Sequence, residues 1–154
     1  MINSEEAIEA AGGIDTCYGG IGIHGHVAFN EAPLSRWHEV SAAEFKASRT
    51  RLLPLAEETV VMNGSRAVAG YLQALPPMAV TLGMAAILGA RRIRLYCQGG
   101  TWQRAILRIA RFGSPRPERY GGEDVRYPVT LLRSHPDFAV ISETQTARPP
   151  LPAL

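Results

Sequence analysis

Two histidines and one glutamate lie close together in a glycine-rich stretch near the start of the chain. His24, His26 and Glu31 fall within eight residues, and four glycines occupy the seven positions 19–25. Each glycine costs a helix roughly 1 kcal/mol relative to alanine, so this stretch is predicted to be a loop. A histidine beside a carboxylate can transfer protons near neutral pH. Any chemistry of the chain is therefore expected to centre on this loop.

One interpretation of the loop is dinucleotide binding. Gly20, Gly22 and Gly25 match the spacing G-x-G-x-x-G after an apolar run. That fingerprint also needs a helix that begins at the third glycine and an acidic residue about twenty positions later. Pro33 interrupts the chain soon after Gly25. The match to this motif is therefore weak.

Two further interpretations remain open from the residue types alone. His24, His26 and Glu31 are ligand types for zinc or non-haem iron, but no second histidine motif accompanies His38 or His135. Acid–base chemistry needs only one histidine with its carboxylate neighbour. The alternative to both is a pair of loop histidines that bond to backbone carbonyls.

Length and composition predict one soluble globular domain. A chain of 154 residues fits a single domain, and no run approaches the roughly 20 apolar residues that span a bilayer. Residues 1–6 are polar and acidic, unlike a signal or transit peptide. Cys17 and Cys97 lie far apart in apolar contexts, which predicts reduced core thiols. A cytoplasmic protein without membrane partners is expected.

The net charge of +2 conceals an uneven distribution. Residues 90–133 carry ten arginines and three acidic residues. Such an excess can attract phosphorylated metabolites, an acidic protein surface or nucleic acid. No nucleic-acid motif accompanies it and aromatic residues are sparse there, so no nucleic-acid partner is expected.

The order of predicted elements indicates an α/β fold. Alternating helices and buried strands are typical of a parallel sheet with flanking helices. We predict a single α/β domain over residues 1–146 and a flexible proline-rich tail over 147–154. The predicted helices are 3–11, 83–88 and 101–111, with a helical turn at 129–132. The predicted strands of the sheet are 14–18, 79–82, 92–97 and 138–141.

Residues 19–31 and 48–51 carry a family resemblance. Gly-His-Val-Ala-Phe-Asn-Glu, followed by Ser-Arg-Thr-Arg, resembles the glucosamine-6-phosphate deaminase/isomerase family, whose loop reads G-x-G-x-D/N-G-H-I-A-F-N-E. Weaker similarity continues through residues 79–84 and 134–136. The resemblance implies a Rossmann-like, mostly parallel sheet with flanking helices. It also implies conversion of an aldose 2-amino-2-deoxy 6-phosphate into a ketose phosphate with release of ammonia, a hydrolase reaction of amino-sugar metabolism.

The resemblance implies roles for five residues. His26 corresponds to the histidine that moves a proton at the ring oxygen, and Glu31 to the carboxylate that orients and charges it. Arg66 and Arg104 correspond to residues that bind the substrate phosphate. His24 is the third predicted catalytic residue and stands beside His26, where the family usually has aspartate or asparagine. When protonated, it would disfavour protonation of His26. No metal and no organic cofactor is expected.

The resemblance covers only the C-terminal portion of the family. The family's Thr-Gly-Gly phosphate loop and Asp-Glu motif have no counterpart in these residues, and the Asp of that motif moves the proton between the two sugar carbons. We therefore expect a fold that lacks the family's N-terminal half, with little activity alone. The alternative is a non-catalytic sugar-phosphate-binding or oligomer-forming remnant. The expected partners are an amino-sugar phosphate and either a homo-oligomer or a complementing N-terminal segment.

Overall fold

Alternating helices and strands account for most of the chain. A computed structural model describes residues 4–33 and 39–149, so His38 and the first residue of the predicted helix 3–11 lie outside the described residues. In chain order the elements are α1 Ser4–Ala10, β1 Thr16–Gly20, α2 Ala42–Lys46, β2 Arg51–Pro54, α3 Glu57–Ala67, β3 Met78–Thr81, α4 Met84–Leu88, β4 Arg92–Cys97, α5 Arg104–Phe112, β5 Phe138–Ser142 and α6 Thr144–Ala147.

A three-stranded parallel sheet lies at the centre of the fold. Its strand order is β1-β4-β5, with Thr16 opposite Arg92 and Ile93 opposite Phe138. The predicted α/β class with a mostly parallel sheet and flanking helices is confirmed. The predicted strand at 79–82 is not part of that sheet. As β3 it pairs antiparallel with β2 in a separate two-stranded sheet, because the chain reverses direction through α3.

The core packs against one face of the parallel sheet. Ile93, Leu95 and Cys97 alternate along β4 and are completely buried. Ile106 and Ala110 form the buried side of α5, as the helical spacing predicts. Burial raises the pKa of the Cys97 thiol to about 11. Both cysteines are free thiols, as predicted.

Strand β1 and helix α3 differ from the sequence-based expectation, and α5 begins at Arg104, three residues later than predicted. Strand β1 begins two residues later than the predicted 14–18 and includes Gly19 and Gly20. Helix α3 was not predicted, because it contains the β-branched run 59–61 and Gly64, which have poor helix propensity. Glu57 and Glu58 in its first turn are the signal that marks its start.

None of the helices in the described ranges is long and apolar enough to cross a membrane. The predicted domain limits and the flexible tail stay predictions, since residues 150–154 lie outside the described part of the chain.

Candidate active site

The glycine loop after β1 closes on itself and presents His26. The Gly22 N–H donates to the His26 carbonyl at 2.9 Å, and the Gly25 N–H donates to the Gly22 carbonyl at 2.9 Å. Gly25 has φ +80°, a left-handed conformation that favours glycine. A Cβ added to Gly22 would lie 1.9 Å from His26 Nε2. The ring of His26 therefore packs directly on Gly22, where any larger residue would displace it.

Asn30 attaches the loop to the end of β3. Its Nδ2 donates to the carbonyls of Val27, at 3.0 Å, and Leu82, at 2.8 Å. Its neighbour Phe29 donates its backbone N–H to Thr81 Oγ1 at 2.9 Å. Asn30 is fully buried, so these bonds fix the segment between the histidine and the glutamate.

Further contacts hold the loop on its other sides. Buried Gln103 donates from Nε2 to the Ile21 carbonyl at 2.7 Å. The Val129 N–H donates to the Gly25 carbonyl at 2.8 Å. Arg51 donates from Nη1 to Asn30 Oδ1 at 2.9 Å. The loop is therefore attached to the turn at residues 100–103 before α5, to the turn at residues 128–132 and to β2, which restrains the position of the His26 ring.

His26 and Glu31 form a buried pair. The His26 Nδ1 lies 3.0 Å from the Glu31 Oε2, and the side chains are 8% and 4% exposed. Neither atom has a hydrogen-bond partner of good angular geometry within the described residues, so the contact counts as an electrostatic one. The expectation that these two residues lie together is met.

The carboxylate of Glu31 lies at the start of helix α3. Its Oε1 is 3.5 Å from the Ala56 backbone nitrogen, and Thr59 in the first turn is buried. Burial by itself raises the pKa of the Glu31 carboxyl, but contacts with the His26 imidazole, the Thr59 hydroxyl and the Ala56 N–H outweigh it. The net pKa lies below the usual range of a glutamate. Glu31 is thus held as an anion beside the imidazole.

Among the residues that the structure describes, three buried side-chain atoms lack an aligned hydrogen-bond partner. They belong to His26, Glu31 and Thr59, which form one cluster. Buried polar atoms are nearly always satisfied, and exceptions often mark functional positions. These three buried groups face one another, so the His26 ring and the Glu31 carboxylate stabilise each other within the cluster.

A cavity of about 410 Å³ opens beside His26. Arg66 and Trp102 line it together with the loop, and a smaller space of about 120 Å³ is lined by the same two residues, His26 and Gly22. The Arg66 guanidinium lies over the Trp102 ring, 5.5 Å from its centroid. An exposed arginine that stacks on an aromatic ring keeps its N–H donors free for an anion.

Two other predicted site residues lie elsewhere. Arg104 donates to the Gln145 carbonyl in α6, at 3.2 Å from Nη2, and it lines neither cavity beside His26. His24 is half-buried and also lies outside the lining of both cavities. Across the described ranges, no group of three His, Cys, Asp or Glu side chains converges into a metal-binding cluster.

His135 is held by backbone groups. Its Nε2 lies 2.8 Å from the Ala90 carbonyl, and its Nδ1 accepts the Asp137 N–H at 3.1 Å. These contacts use both ring nitrogens, so His135 is a structural histidine.

Sequence reasoning missed several residues that build the site. Thr59 belongs to the unpredicted helix, and Trp102 and Gln103 were not assigned to the cavity. The Asn30 side chain was quoted only as part of a motif. No signal in the sequence alone marks the Asn30 amide as fully buried, since its neighbours are one apolar residue and the charged Glu31.

Comparison with known proteins agrees with the resemblance of the loop motif. No protein-family model matches the chain. The glucosamine-6-phosphate deaminase of Porphyromonas gingivalis is 41% identical over 139 residues, which cover 90% of this chain and 45% of the relative. That of Beutenbergia cavernae is 34% identical over 143 residues, 93% of this chain and 47% of the relative. The chain is related to the glucosamine-6-phosphate deaminase family.

A solved structure agrees with these relatives. A monomeric glucosamine-6-phosphate deaminase of the NagB superfamily superposes with a TM-score of 0.71 at 25% identity, covering 93% of this chain and 51% of that chain. The chain therefore spans about half the length of the deaminases that it matches. The resemblance read from the Gly-His-Val-Ala-Phe-Asn-Glu motif is confirmed.

Proposed function

We propose that the chain carries the sugar-ring-opening part of an amino-sugar-phosphate isomerase/deaminase site. In this proposal His26 moves the proton at the ring oxygen of a bound 2-amino-2-deoxy aldose 6-phosphate. Glu31 orients the ring of His26 and stabilises its protonated form. The complete reaction is aldose–ketose isomerisation with release of ammonia, a hydrolytic loss of the amino group.

The observation that supports this proposal most is the buried His26–Glu31 contact of 3.0 Å at the wall of a cavity. A carboxylate at Nδ1 leaves Nε2 to exchange a proton with a substrate oxygen. Because Gly22 has no side chain, the His26 ring can line both the larger cavity and the smaller space beside it. Ring opening needs one group that gives and takes a proton, and this pair has the residue types for that task.

Arg66 is the proposed phosphate ligand at this site. It shares the cavity with His26, and no salt bridge joins it to an acidic residue of the described ranges. Arg104 stays a second predicted phosphate ligand, although its guanidinium bonds to the backbone of α6. His24 stays a predicted neighbour that perturbs the charge of His26.

Proton abstraction from the sugar carbon requires a further base. Of the described residues that line the larger cavity, none carries a carboxylate. We therefore propose that the base that abstracts this proton is not one of the described residues that line the larger cavity. The isolated chain then opens sugar rings but releases little or no ammonia.

The test is anomer exchange of glucosamine 6-phosphate, followed by magnetisation-transfer NMR. The chain should accelerate exchange between the α and β anomers, because each exchange passes through the open aldehyde. His26→Gln should lower the catalysed rate by on the order of 10²–10⁴-fold. His135→Gln is the matched control, since that histidine is held by backbone contacts alone.

Ammonia release measured on the same samples completes the experiment. Failure of the folded chain to accelerate anomer exchange would refute the ring-opening role. Ammonia release by the chain alone, lost in His26→Gln, would place the base within this chain and contradict the proposed division of the reaction.

A second candidate is a non-catalytic sugar-phosphate-binding or oligomer-forming protein. The absence of a carboxylate among the described residues that line the larger cavity favours this second candidate. It predicts that glucosamine 6-phosphate binds through Arg66, with equal affinity for the wild type and His26→Gln, and that anomer exchange is not accelerated. Isothermal titration of the two proteins separates the candidates. The cytoplasmic location stays a prediction that cell fractionation tests.

A further inference from the structure

The guanidinium of Arg66 has no polar partner among residues 4–33 and 39–149. Arg66 lies in the last turn of α3 and is solvent-exposed. Neither a salt bridge nor a side-chain hydrogen bond joins it to any other residue of these two ranges. An arginine that nothing holds loses rotamer freedom when it binds a ligand, and this loss weakens binding. The affinity of Arg66 for an anion therefore depends on what restrains its side chain beforehand.

The contact that restrains Arg66 is with the ring of Trp102. The Arg66 Cζ lies 5.5 Å from the ring centroid, within the roughly 6 Å over which an aromatic face attracts a cation. Tryptophan attracts a cation more strongly than tyrosine or phenylalanine does. The ring takes the face of the guanidinium, whereas the N–H donors of that group lie in its plane. The contact therefore limits the side chain without using the donors that bind an anion.

The turn that carries Trp102 is itself fixed. Trp102 is half-buried in the turn Gly100–Gln103 ahead of α5. Gly99 lies directly against the indole, because a Cβ added at Gly99 would overlap with the Trp102 Nε1. The next residue, Gln103, is buried and donates from Nε2 to the Ile21 carbonyl at 2.7 Å. The indole is therefore a fixed surface that is connected to the glycine loop.

The stacked pair lies beside the histidine of the candidate site. Arg66, Trp102 and His26 all line both the larger cavity of about 410 Å³ and the smaller space of about 120 Å³. A cavity of several hundred Å³ is the size that binds a small metabolite. Of the described residues that line the two spaces, Arg66 is the only arginine or lysine. The position of this one guanidinium therefore matters for any anion that binds there.

We propose that Trp102 is a positioning residue for the binding of a phosphate monoester. It holds the Arg66 guanidinium at the wall of the cavity, so that Arg66 binds the phosphate with a smaller loss of side-chain freedom. Trp102 acts through Arg66, and it therefore contributes to the affinity for the phosphate group and not to that for the sugar. This inference rests on the proposed role of Arg66 as the phosphate ligand.

The first experiment measures phosphate affinity by isothermal titration of the folded chain. The two probes are glucosamine 6-phosphate and inorganic phosphate. Trp102→Leu should weaken the binding of both probes by about 3- to 30-fold, which is the range of a cation–π contact. Trp102→Phe keeps an aromatic face and should restore most of the affinity. If Trp102 instead packed on the sugar ring, only glucosamine 6-phosphate would bind more weakly, and that result would overturn the proposal.

A double-mutant cycle tests whether Trp102 acts through Arg66. Arg66→Gln removes the charge, and the contact with the indole is lost with it. In the Arg66→Gln background, Trp102→Leu should change the affinity for inorganic phosphate by less than about twofold. Equal effects of Trp102→Leu in the wild-type and Arg66→Gln backgrounds would show that the two residues act independently and would overturn the proposal.

The matched control is a second pair of the same kind on α5. The Arg111 guanidinium also lies 5.5 Å from the centroid of an aromatic ring, that of Phe112, and neither residue lines the spaces beside His26. Phe112→Leu should therefore leave the affinity for both probes unchanged. A loss in Phe112→Leu equal to that in Trp102→Leu would show that the effect is not specific to the cavity, and it would contradict the proposal.

A spectroscopic measurement on the wild type needs no variant to fold. The ring current of Trp102 should shift the NMR signal of the Arg66 Nε–H proton upfield of the signals of arginines that lie over no ring. The signal should move downfield when Trp102 is replaced by leucine and less so when it is replaced by phenylalanine. An Arg66 signal without this shift in the wild type would overturn the proposal.

The outcomes for Trp102 and for His26 are distinguishable. Anomer exchange reports ring opening by His26, and titration with inorganic phosphate reports the Arg66–Trp102 pair. Loss of the Trp102 effect with anomer exchange intact would refute this inference alone. Phosphate binding that depends on Trp102 without anomer exchange would refute ring opening alone. A folded wild type that binds neither probe would refute both the phosphate role of Arg66 and this inference.

Discussion

Two loops of this protein each surround a buried carboxylate, and the two carboxylates differ in their hydrogen-bond partners. Asp124 is 1% exposed and accepts hydrogen bonds from Ser114 Oγ at 2.8 Å, the Arg126 N–H at 2.9 Å and Arg116 Nη1 at 3.2 Å. Glu31 is 6% exposed, and its Oε2 has the His26 ring as a close contact without an aligned hydrogen bond.

The difference separates a structural carboxylate from a candidate catalytic one. All the accepting capacity of Asp124 is used to hold the loop at residues 113–130 in place. Glu31 instead lies beside a titratable ring at the wall of a cavity. A carboxylate next to an imidazole can orient the ring and stabilise its protonated form, which a carboxylate bonded only to fixed donors does not do.

The largest expected effect is a loss of stability when the structural carboxylate, Asp124, is removed. Asp124→Ala leaves the buried Ser114 hydroxyl and the Arg116 guanidinium without their acceptor. It should lower the free energy of unfolding by about 2–4 kcal/mol, measured by chemical denaturation. The anomer-exchange rate per folded molecule should stay unchanged.

The control for this prediction is Glu118→Ala. Glu118 pairs with the same Arg116 but is solvent-exposed, so its removal should change stability little. Equal losses in the two variants would show that burial of Asp124 does not matter.

Gly22→Ala tests the position of the His26 ring. The added Cβ would lie 1.9 Å from Nε2, so the ring must move. Displacement of a catalytic group by about 1 Å costs on the order of 10²-fold, and we expect a loss of that size in anomer exchange. Gly20→Ala, where the nearest atom would be 3.8 Å away, should leave the His26 side-chain NMR signals in place. Unshifted His26 signals in Gly22→Ala would contradict the packing.

Glu31→Gln tests the carboxylate of the candidate site. The amide keeps the shape but cannot stabilise an imidazolium, so anomer exchange should fall by about 10- to 100-fold. Stability at neutral pH should change less than in Asp124→Ala. A larger loss of stability than of rate would make Glu31 a structural residue like Asp124.

The smallest effect is a dependence of stability on pH. The pKa of Glu31 is lower in the folded chain than its ordinary value of about 4.3. Its contribution to stability is therefore present above that value and is lost as the pH falls through the folded pKa. Denaturation of wild type and Glu31→Gln at neutral and acidic pH should show a difference that shrinks on acidification. A constant difference would contradict the shift.

Local features could be predicted because neighbours in sequence set them. His26 and Glu31 are five positions apart in a loop, so contact between them needed only the turn that the glycines allow. The buried strand β4 and the apolar side of α5 follow from their periodicity. The same spacing identified the family motif.

Long-range placement could not be predicted from the sequence. Arg66 and Arg104 carry the same charge and the same predicted role, yet one lies over Trp102 in the cavity and the other bonds to α6. Likewise β3 has the apolar composition of a parallel strand but pairs antiparallel with β2. The positions of the two arginines and the pairing of β3 depend on which surfaces pack together. The charge or hydrophobicity of a segment does not by itself specify its packing partner.

The sequence by itself determined the glycine loop, the imidazole with its carboxylate neighbour, the α/β class and the resemblance to the glucosamine-6-phosphate deaminases. Only the tertiary structure decided that α3 begins next to the Glu31 carboxylate, that Arg66 lines the His26 cavity and that β1, within residues 4–33 and 39–149, pairs with β4 alone. The physical reason is the sequence separation over which the interactions act. Backbone sterics and short turns involve residues that are a few positions apart. Helix packing and strand pairing join segments that are far apart in sequence, and the local pattern of one segment does not identify the other.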